Sequence, residues 1–230
     1  MAYEGNKMLQ RLTSKVAGEV KCVVVGDGGV GKTSMLLSYT TGGMIADYIP
    51  TCFDSYTVPL KVLDREYDMS VIDTAGQETY DRLRTLSYFN TDVFIVCFSV
   101  EDRDSFENVR SKWVPELRQY RPNVPFILVG TQLDIRGSTV DITNECITTS
   151  QGKKLARRVG AMGYLECSAL EGIGLDIVFK KALLCALAPK KKRRFRISFR
   201  LPFKKRSTDL FRHDLPSPRR LDEVPSAASP

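Results

Sequence analysis

The stretch Gly26-Asp27-Gly28-Gly29-Val30-Gly31-Lys32-Thr33 decides how this chain is read. It follows a short apolar run, VKCVVVG (Val20–Gly26), and precedes a segment from Lys32 to about Tyr39 whose spacing suits a helix. The glycines permit tight positive-φ turns, so successive backbone N–H groups can converge on one concavity and cradle phosphate oxygens. Lys32 brings a point charge to the outer phosphates and Thr33 offers a hydroxyl to Mg²⁺. The helix behind them adds the positive end of its dipole. The candidate phosphate-binding residues are therefore Asp27, Gly28, Gly29, Val30, Gly31, Lys32, Thr33 and Ser34. The loop alone leaves ATPases, GTPases and kinases of small metabolites all open.

Outward from the loop, strand-like and helix-like segments alternate. Ser55–Leu63 and Glu66–Asp73 read as a hairpin joined at Asp64-Arg65. VFIVCFSV (Val93–Val100) and PFILVG (Pro125–Gly130) are continuous apolar runs of the kind buried on both faces, and Gly163–Cys167 is a shorter one. Helical periodicity recurs in Ser105–Tyr120, in about Thr149–Gly160 and in about Leu175–Leu187. Such alternation predicts an α/β fold with a mainly parallel sheet covered by helices.

Three loops at successive strand ends narrow the chemistry. In Asp73-Thr74-Ala75-Gly76-Gln77, Asp73 can reach a Mg²⁺ shell, Gly76 can give an N–H to a γ-phosphate and Gln77 can orient an attacking water. In Thr131-Gln132-Leu133-Asp134, the carboxylate can accept from the N1–H and N2–H₂ edge of guanine, a paired donor that adenine lacks. In Ser168-Ala169-Leu170, a backbone N–H can meet the guanine O6. Taken singly, each is a weak signal, and TQLD reads readily as a surface turn. Their order and their convergence on the carboxyl ends of parallel strands change the odds. A small-molecule kinase does not account for DTAGQ and TQLD together.

On these residues the chain resembles the Ras superfamily and, within it, the Rho family of GTPases. YTTGGMIADYIPTCFDSYT (Tyr39–Thr57) is similar to the Rho-family first switch, and DTAGQETYDRLRTLSY (Asp73–Tyr88) to its second. TDVFIVCFSV, SFENVRSKWVPE and YLECSAL extend the likeness over roughly residues 19–188. Asp54 after Phe53 resembles the Rac branch, where the Rho branch proper carries Glu. The resemblance implies a P-loop GTPase (G domain) with a mostly parallel six-stranded sheet, binding GTP or GDP with Mg²⁺ and hydrolysing GTP. It implies Thr33, Thr51 and Asp73 around the metal, Tyr48 closing over the phosphates, and Gln77 as the catalytic residue. It also implies exchange factors, GTPase-activating proteins and effectors as partners, the effectors being read by Phe53, Asp54 and Tyr56, with actin, cell shape or polarity as the pathway.

The chain departs from that pattern in several places. Met44 stands where the family has a Phe packed on the base, and Ile45 where Rac-like members have Pro. Met44 is retained as a base contact, but a flexible thioether and a freer loop predict fast nucleotide exchange. That leaves a mostly GTP-loaded scaffold as an alternative to a hydrolysing switch. Gln132 and Ile72 also differ from common family residues, and Ile135–Ser150 is shorter than the Rho insert. The chain ends SAASP with no cysteine after Cys185, so the expected member is an atypical one without a prenylation box.

Composition agrees with a folded body and a distinct tail: an arm at 1–18, a Rho-type GTPase domain at 19–188 and a flexible tail at 189–230. Net charge is +7, yet residues 189–206 hold ten of the 34 Lys and Arg, leaving 24 against 27 Asp and Glu elsewhere. In Lys190–Arg206 the basic residues interleave with Phe195, Ile197, Phe199, Leu201 and Phe203. That pattern suits an anionic membrane surface; a solvated basic tail and a nuclear import signal compete with it, and nucleic acid is not expected. No run approaches the ~20 apolar residues of a membrane-spanning helix. The expected location is the cytoplasm, on the cytosolic face of the plasma membrane or endomembranes, with nuclear import through the tail open. The lone histidine, His213, lies in the tail, which excludes Ser-His-Asp and Cys-His catalysis in the body. Six cysteines without metal-ligand spacing read as buried, reduced thiols.

Overall fold

Val93–Ser99 (β4) and Phe126–Thr131 (β5) carry no polar alternation, and every residue of both strands is buried. A strand can be wholly apolar only if both faces are covered. Along β4 the side chains alternate between two cores: Val93, Ile95 and Cys97 enter one, Phe94, Val96 and Phe98 the other. The computed structural model describes residues 16–43, 53–62, 64–76, 81–136 and 146–189.

The remaining strands are β1 (Val16–Val25), β2 (Phe53–Val62), β3 (Arg65–Thr74) and β6 (Tyr164–Glu166). They form one six-stranded sheet in the order β2-β3-β1-β4-β5-β6, with β2 antiparallel and every other pairing parallel. Helices α1 (Lys32–Thr41), α2 (Asp81–Ser87), α3 (Arg103–Asn108), α4 (Val114–Tyr120), α5 (Thr149–Val159) and α6 (Leu175–Leu187) cover it. On one face, Leu175, Val178, Phe179, Ala182 and Leu183 of α6 pack with Met35 and Leu36 of α1. On the other, Trp113, Leu117 and Leu155 meet Phe94, Phe98 and Phe126. Each fully buried side chain of this size stabilises by roughly 1.5–3 kcal/mol. The α/β expectation, a mostly parallel six-stranded sheet flanked by helices, is what the chain adopts.

Several elements differ from the expectation in detail. β1 begins at Val16, so the last residues of the expected N-terminal arm are strand, pairing with Glu66 and Tyr67 of β3. Val62 pairs with Arg65, which places Arg65 in the strand instead of the hairpin turn; Asp64 takes the left-handed φ of 58°. The helix expected at Ser105–Tyr120 starts earlier, where the Asp102 carboxylate accepts from the N–H groups of Asp104 and Ser105. It is then interrupted by a π turn, Val109–Trp113, in which the Val114 N–H reaches back five residues to the Val109 carbonyl. Pro115 explains the interruption: it has no N–H for the α-helical bond, and its ring would crowd the carbonyl four residues earlier. Helix α2 has no counterpart in the sequence reading, because DRLRTLS has too few apolar positions to show a period. Of the segment Ile135–Ser150, expected to be a shortened insert, residues 137–145 lie outside the described residues.

β1 has β3 on one side and β4 on the other, so the winding of the chain reverses at β1. Open α/β sheets bind ligands at such a switch point, beyond the carboxyl ends of the strands. The loop Gly26–Gly31 stands there, between β1 and α1. Among the described residues no helix is long and apolar enough to cross a membrane.

Candidate functional site

The glycine loop is held to its shape by its own lysine. Lys32 Nζ donates to the carbonyls of Gly26 (2.9 Å) and Asp27 (2.6 Å), so the ammonium lies over the loop. Burial pulls its pKa below the ordinary lysine range, and the neighbouring charges of Asp73 and Asp27 oppose that pull. A desolvated ammonium of this kind gains strongly from an anionic ligand. Gly31 caps α1 with a left-handed φ of 80°, a backbone conformation that glycine adopts without strain.

Gly76 shows why the strand end after β3 must carry glycine. A Cβ there would lie 2.3 Å from the Asp27 carbonyl carbon and 2.4 Å from the Gly28 nitrogen. The backbone of Ala75–Gly76 is thus packed directly on the backbone of the phosphate loop. Beside it, Thr33 Oγ1 donates to Asp73 Oδ2 at 2.5 Å. A hydroxyl and one buried carboxylate form a hard oxygen set. Among the described residues no cluster of three His, Cys, Asp or Glu could hold a metal unaided. This composition fits Mg²⁺, which takes one or two protein oxygens and completes its shell with water and substrate phosphates.

A second part of the site lies beyond β5 and β6. A cavity of about 130 Å³ is lined by residues that include Gly31, Ser34, Thr131, Gln132, Asp134 and Ala169. Its walls are cross-tied. Ser168 Oγ donates to Asp134 Oδ1 at 2.5 Å, which orients the carboxylate. Thr131 Oγ1 lies within hydrogen-bond distance of the carbonyls of both Val30 and Phe98, which share its single proton, and so ties β5 to the glycine loop. Ser38, buried on α1, donates to the Ala169 carbonyl at 2.8 Å. Leu170 also lines the cavity and is largely exposed. Gln132 sits in the left-handed region, φ 57°, with a buried Oε1 that has no hydrogen-bond partner among the described residues.

The structure therefore brings together the glycine loop, Lys32, Thr33, Ser34, Asp73, Gly76, Thr131, Gln132, Asp134, Ser168, Ala169 and Leu170. Two residues of the loop take a different part from a direct side-chain contact. Val30 is 1% exposed and joins the core. The Asp27 carboxylate accepts from Trp113 Nε1 (2.6 Å) and Asn108 Nδ2 (2.7 Å), so only its backbone is left to face a phosphate. Asp54 is exposed on β2 and Tyr56 half-buried beside it. Met44, Ile45, Tyr48, Thr51 and Gln77 lie outside the described residues, as does the Phe53 side chain.

Sequence reasoning missed a buried polar cluster behind the loop. Arg84 of α2 is 2% exposed. It forks onto both oxygens of Glu116 (3.1 and 2.8 Å) and bonds Asp81 Oδ1 and the Ala75 carbonyl. Its guanidinium carbon lies 4.6 Å from the centre of the Trp113 ring. Tyr88 donates to Glu116 at 2.5 Å. The one available signal was the chain's single tryptophan two residues before a proline within a helical period.

One comparison bears on identity. The family model described as the Ras family matches residues 21–187, from within β1 to the end of α6. That span takes in the glycine loop, the Asp73–Gly76 turn and the walls of the 130 Å³ cavity. The chain belongs to the Ras family of small GTPases, switch proteins that as a class bind GTP and GDP with Mg²⁺ and hydrolyse GTP.

Proposed function

We propose that this protein is a Rho-type guanine-nucleotide switch whose base is selected by Asp134. The observation that carries the reading is the Ser168–Asp134 hydrogen bond at the cavity that adjoins Gly31 and Ser34. A carboxylate fixed at that point is suited to the paired N1–H and N2–H₂ donors of guanine, with a backbone N–H of Ser168–Leu170 for O6. The glycine-loop amides and Lys32 hold the phosphates, and Thr33, Thr51 and Asp73 hold the metal. Mg²⁺, when bound, neutralises charge on the β- and γ-phosphate oxygens. The Gly76 amide meets the γ-phosphate, and Gln77 orients the attacking water.

By the same reading, exchange factors and activating proteins set the nucleotide state, and effectors read Phe53, Asp54 and Tyr56. Actin or cell-shape control is the pathway that the Rho likeness suggests. The domain ends near Ala188, and the basic segment Lys190–Arg206 holds the protein to anionic membranes on the cytosolic side. Titration with GDP, GTP and ATP tests the core of the proposal. The wild type binds the guanine nucleotides and rejects ATP. Asp134→Ala loses about 2–4 kcal/mol of GDP and GTP affinity, because the variant strands both guanine donors and loses charge-assisted bonds. Undiminished GTP affinity in that variant would overturn the base assignment.

A further inference from the structure

We propose that Trp113 is a positioning residue for GTP hydrolysis, acting through Asp27 and Arg84 to fix the Ala75–Gly76 backbone against the phosphate loop. The inference rests on the switch reading above and assigns a role to side chains that reading does not use.

A carboxylate inside a phosphate-binding loop is electrostatically adverse unless it is turned away and hydrogen-bonded. Asp27 is both. Each of its oxygens takes one donor, Trp113 Nε1 at 2.6 Å and Asn108 Nδ2 at 2.7 Å. In an α-helix two residues five apart point about 140° away from each other and cannot share one acceptor. The π turn Val109–Trp113, closed by a bond spanning five residues, brings them to one side. π turns of this kind concentrate at functional sites.

The other face of Trp113 continues the linkage. Its ring lies under the Arg84 guanidinium, and Arg84 Nη1 donates to the Ala75 carbonyl at 3.3 Å. Gly76, next in the chain, rests on the Asp27–Gly28 peptide with no room for a Cβ. The contacts close a ring: Asp27 to Trp113, Trp113 to Arg84, Arg84 to Ala75, and Gly76 back to Asp27. Glu116 and Asp81 complete the guanidinium's hydrogen bonds and keep it from turning away. A closed ring of direct contacts fixes the distance between two backbone segments better than either bond alone. Gln77 follows Gly76 directly, so this distance sets where the water-orienting residue begins. The ring does not touch the cavity assigned to the base, so it governs the hydrolytic step more than affinity.

The test uses the full chain, with GDP affinity and single-turnover GTP hydrolysis measured side by side. Trp113→Phe keeps a ring under Arg84 and removes the one N–H that Asp27 Oδ1 receives among the described residues. Hydrolysis should fall between ~10- and ~10²-fold, the scale for a misplaced reacting group, while GDP affinity stays within about threefold. Asp27→Asn, which sets an amide donor against a donor, should slow hydrolysis similarly. The exchange Asp27→Asn with Asn108→Asp rebuilds the pairing with donor and acceptor reversed. The amide placed in the loop then accepts from Trp113 and donates to the carboxylate placed on the helix. This reciprocal pair should recover most of the lost rate, and it leaves the core untouched if Trp113→Phe fails to fold. A wild-type rate in Trp113→Phe, or a reciprocal pair no faster than Asp27→Asn, would overturn the proposal alone. Wild-type protein that binds no guanine nucleotide would overturn the switch reading and this proposal together.

Discussion

Replacing Gly76 by Ala tests how the second switch meets the phosphate loop. The added Cβ would lie 2.3 Å from the Asp27 carbonyl carbon, 2.4 Å from the Gly28 nitrogen and 2.5 Å from the Gly26 oxygen. All three are backbone atoms, so no flexible side chain can move aside. Carbon atoms pack at about 3.5–4.0 Å, so the Ala75–Gly76 segment must retreat by ~1 Å or more. On the proposed reading, a retreat of that size breaks the hydrogen bond from the residue 76 amide to the γ-phosphate. A hydrogen bond to a charged group contributes ~1.5–3 kcal/mol, or roughly a 10- to 150-fold change in equilibrium constant. GDP has no γ-phosphate, so its affinity should change little. The expected result is a ratio of GTP to GDP affinity lowered ~10-fold or more, read by competition between the two nucleotides and a fluorescent analogue. Hydrolysis should fall with it, since residue 77 moves too. A Gly76→Ala variant with the wild-type affinity ratio would refute the argument that this contact reports the γ-phosphate.

Other outcomes follow from the same structure and sequence. Gln77→Leu should leave GDP and GTP binding nearly intact while intrinsic hydrolysis falls, and any ~10³–10⁵-fold stimulation by an activating protein should vanish; single-turnover rates check both. Glu166 accepts from Arg136, Tyr164 and Thr149, and although burial alone would raise its pKa, these bonds hold it below the ordinary carboxyl range. A depressed folded pKa means stability that is complete above the unfolded carboxyl range and lost as pH falls through the folded value. Glu166→Gln should therefore lose ~1.5–3 kcal/mol in urea unfolding at pH 7, with the gap to wild type closing below about pH 4. For the tail, wild type should sediment with anionic vesicles and be partly released by salt, each basic group contributing ~1 kcal/mol. A Phe195/Phe199/Phe203→Ala variant should bind less at equal charge, and equal binding to neutral vesicles would exclude the anchor.

What the sequence disclosed and what it withheld divide along a physical line. β4 and β5 were legible because a strand buried on both faces must be apolar throughout, whatever surrounds it. The glycine loop and the turn after β3 were legible because Gly31 answers to local backbone geometry and Gly76 to close approach. Helix α2 was not, because its stability comes from Arg84 bonding Glu116, 32 residues away, and short helices have little of their own. The role of Asp27 was hidden for a similar reason. In the sequence it is one residue of a phosphate loop, and only the π turn next to Pro115 turns Asn108 and Trp113 toward it. Of the six cysteines expected to be buried thiols, Cys22, Cys97, Cys167 and Cys185 are buried, Cys146 is half-buried and Cys52 lies outside the described residues. Burial foremost, then the charges of Asp134 and Glu166, push the Cys167 thiol up to about 12, far from reactivity.

The two ends of the candidate site are anchored by separate sets of contacts, and that separation has a consequence for control. The base end is held by Ser168 on Asp134, Ser38 on Ala169 and Thr131 on Val30. The phosphate end is held by Thr33 on Asp73 and by the ring from Asp27 through Trp113 and Arg84 to Ala75. The sets share the glycine loop itself but no side chain. Contacts without shared partners contribute nearly additively. A change at Ser38 should therefore alter nucleotide release with little effect on the hydrolytic step, and a change at Trp113 the reverse. A regulator that grips α2 acts on the phosphate end, because Arg84 is the only side chain of that helix bonded to both Ala75 and Glu116 among the described residues. Pulling α2 away would cost Arg84 its buried partners before it disturbed Asp134, so such a regulator would loosen the phosphate end before it released the base.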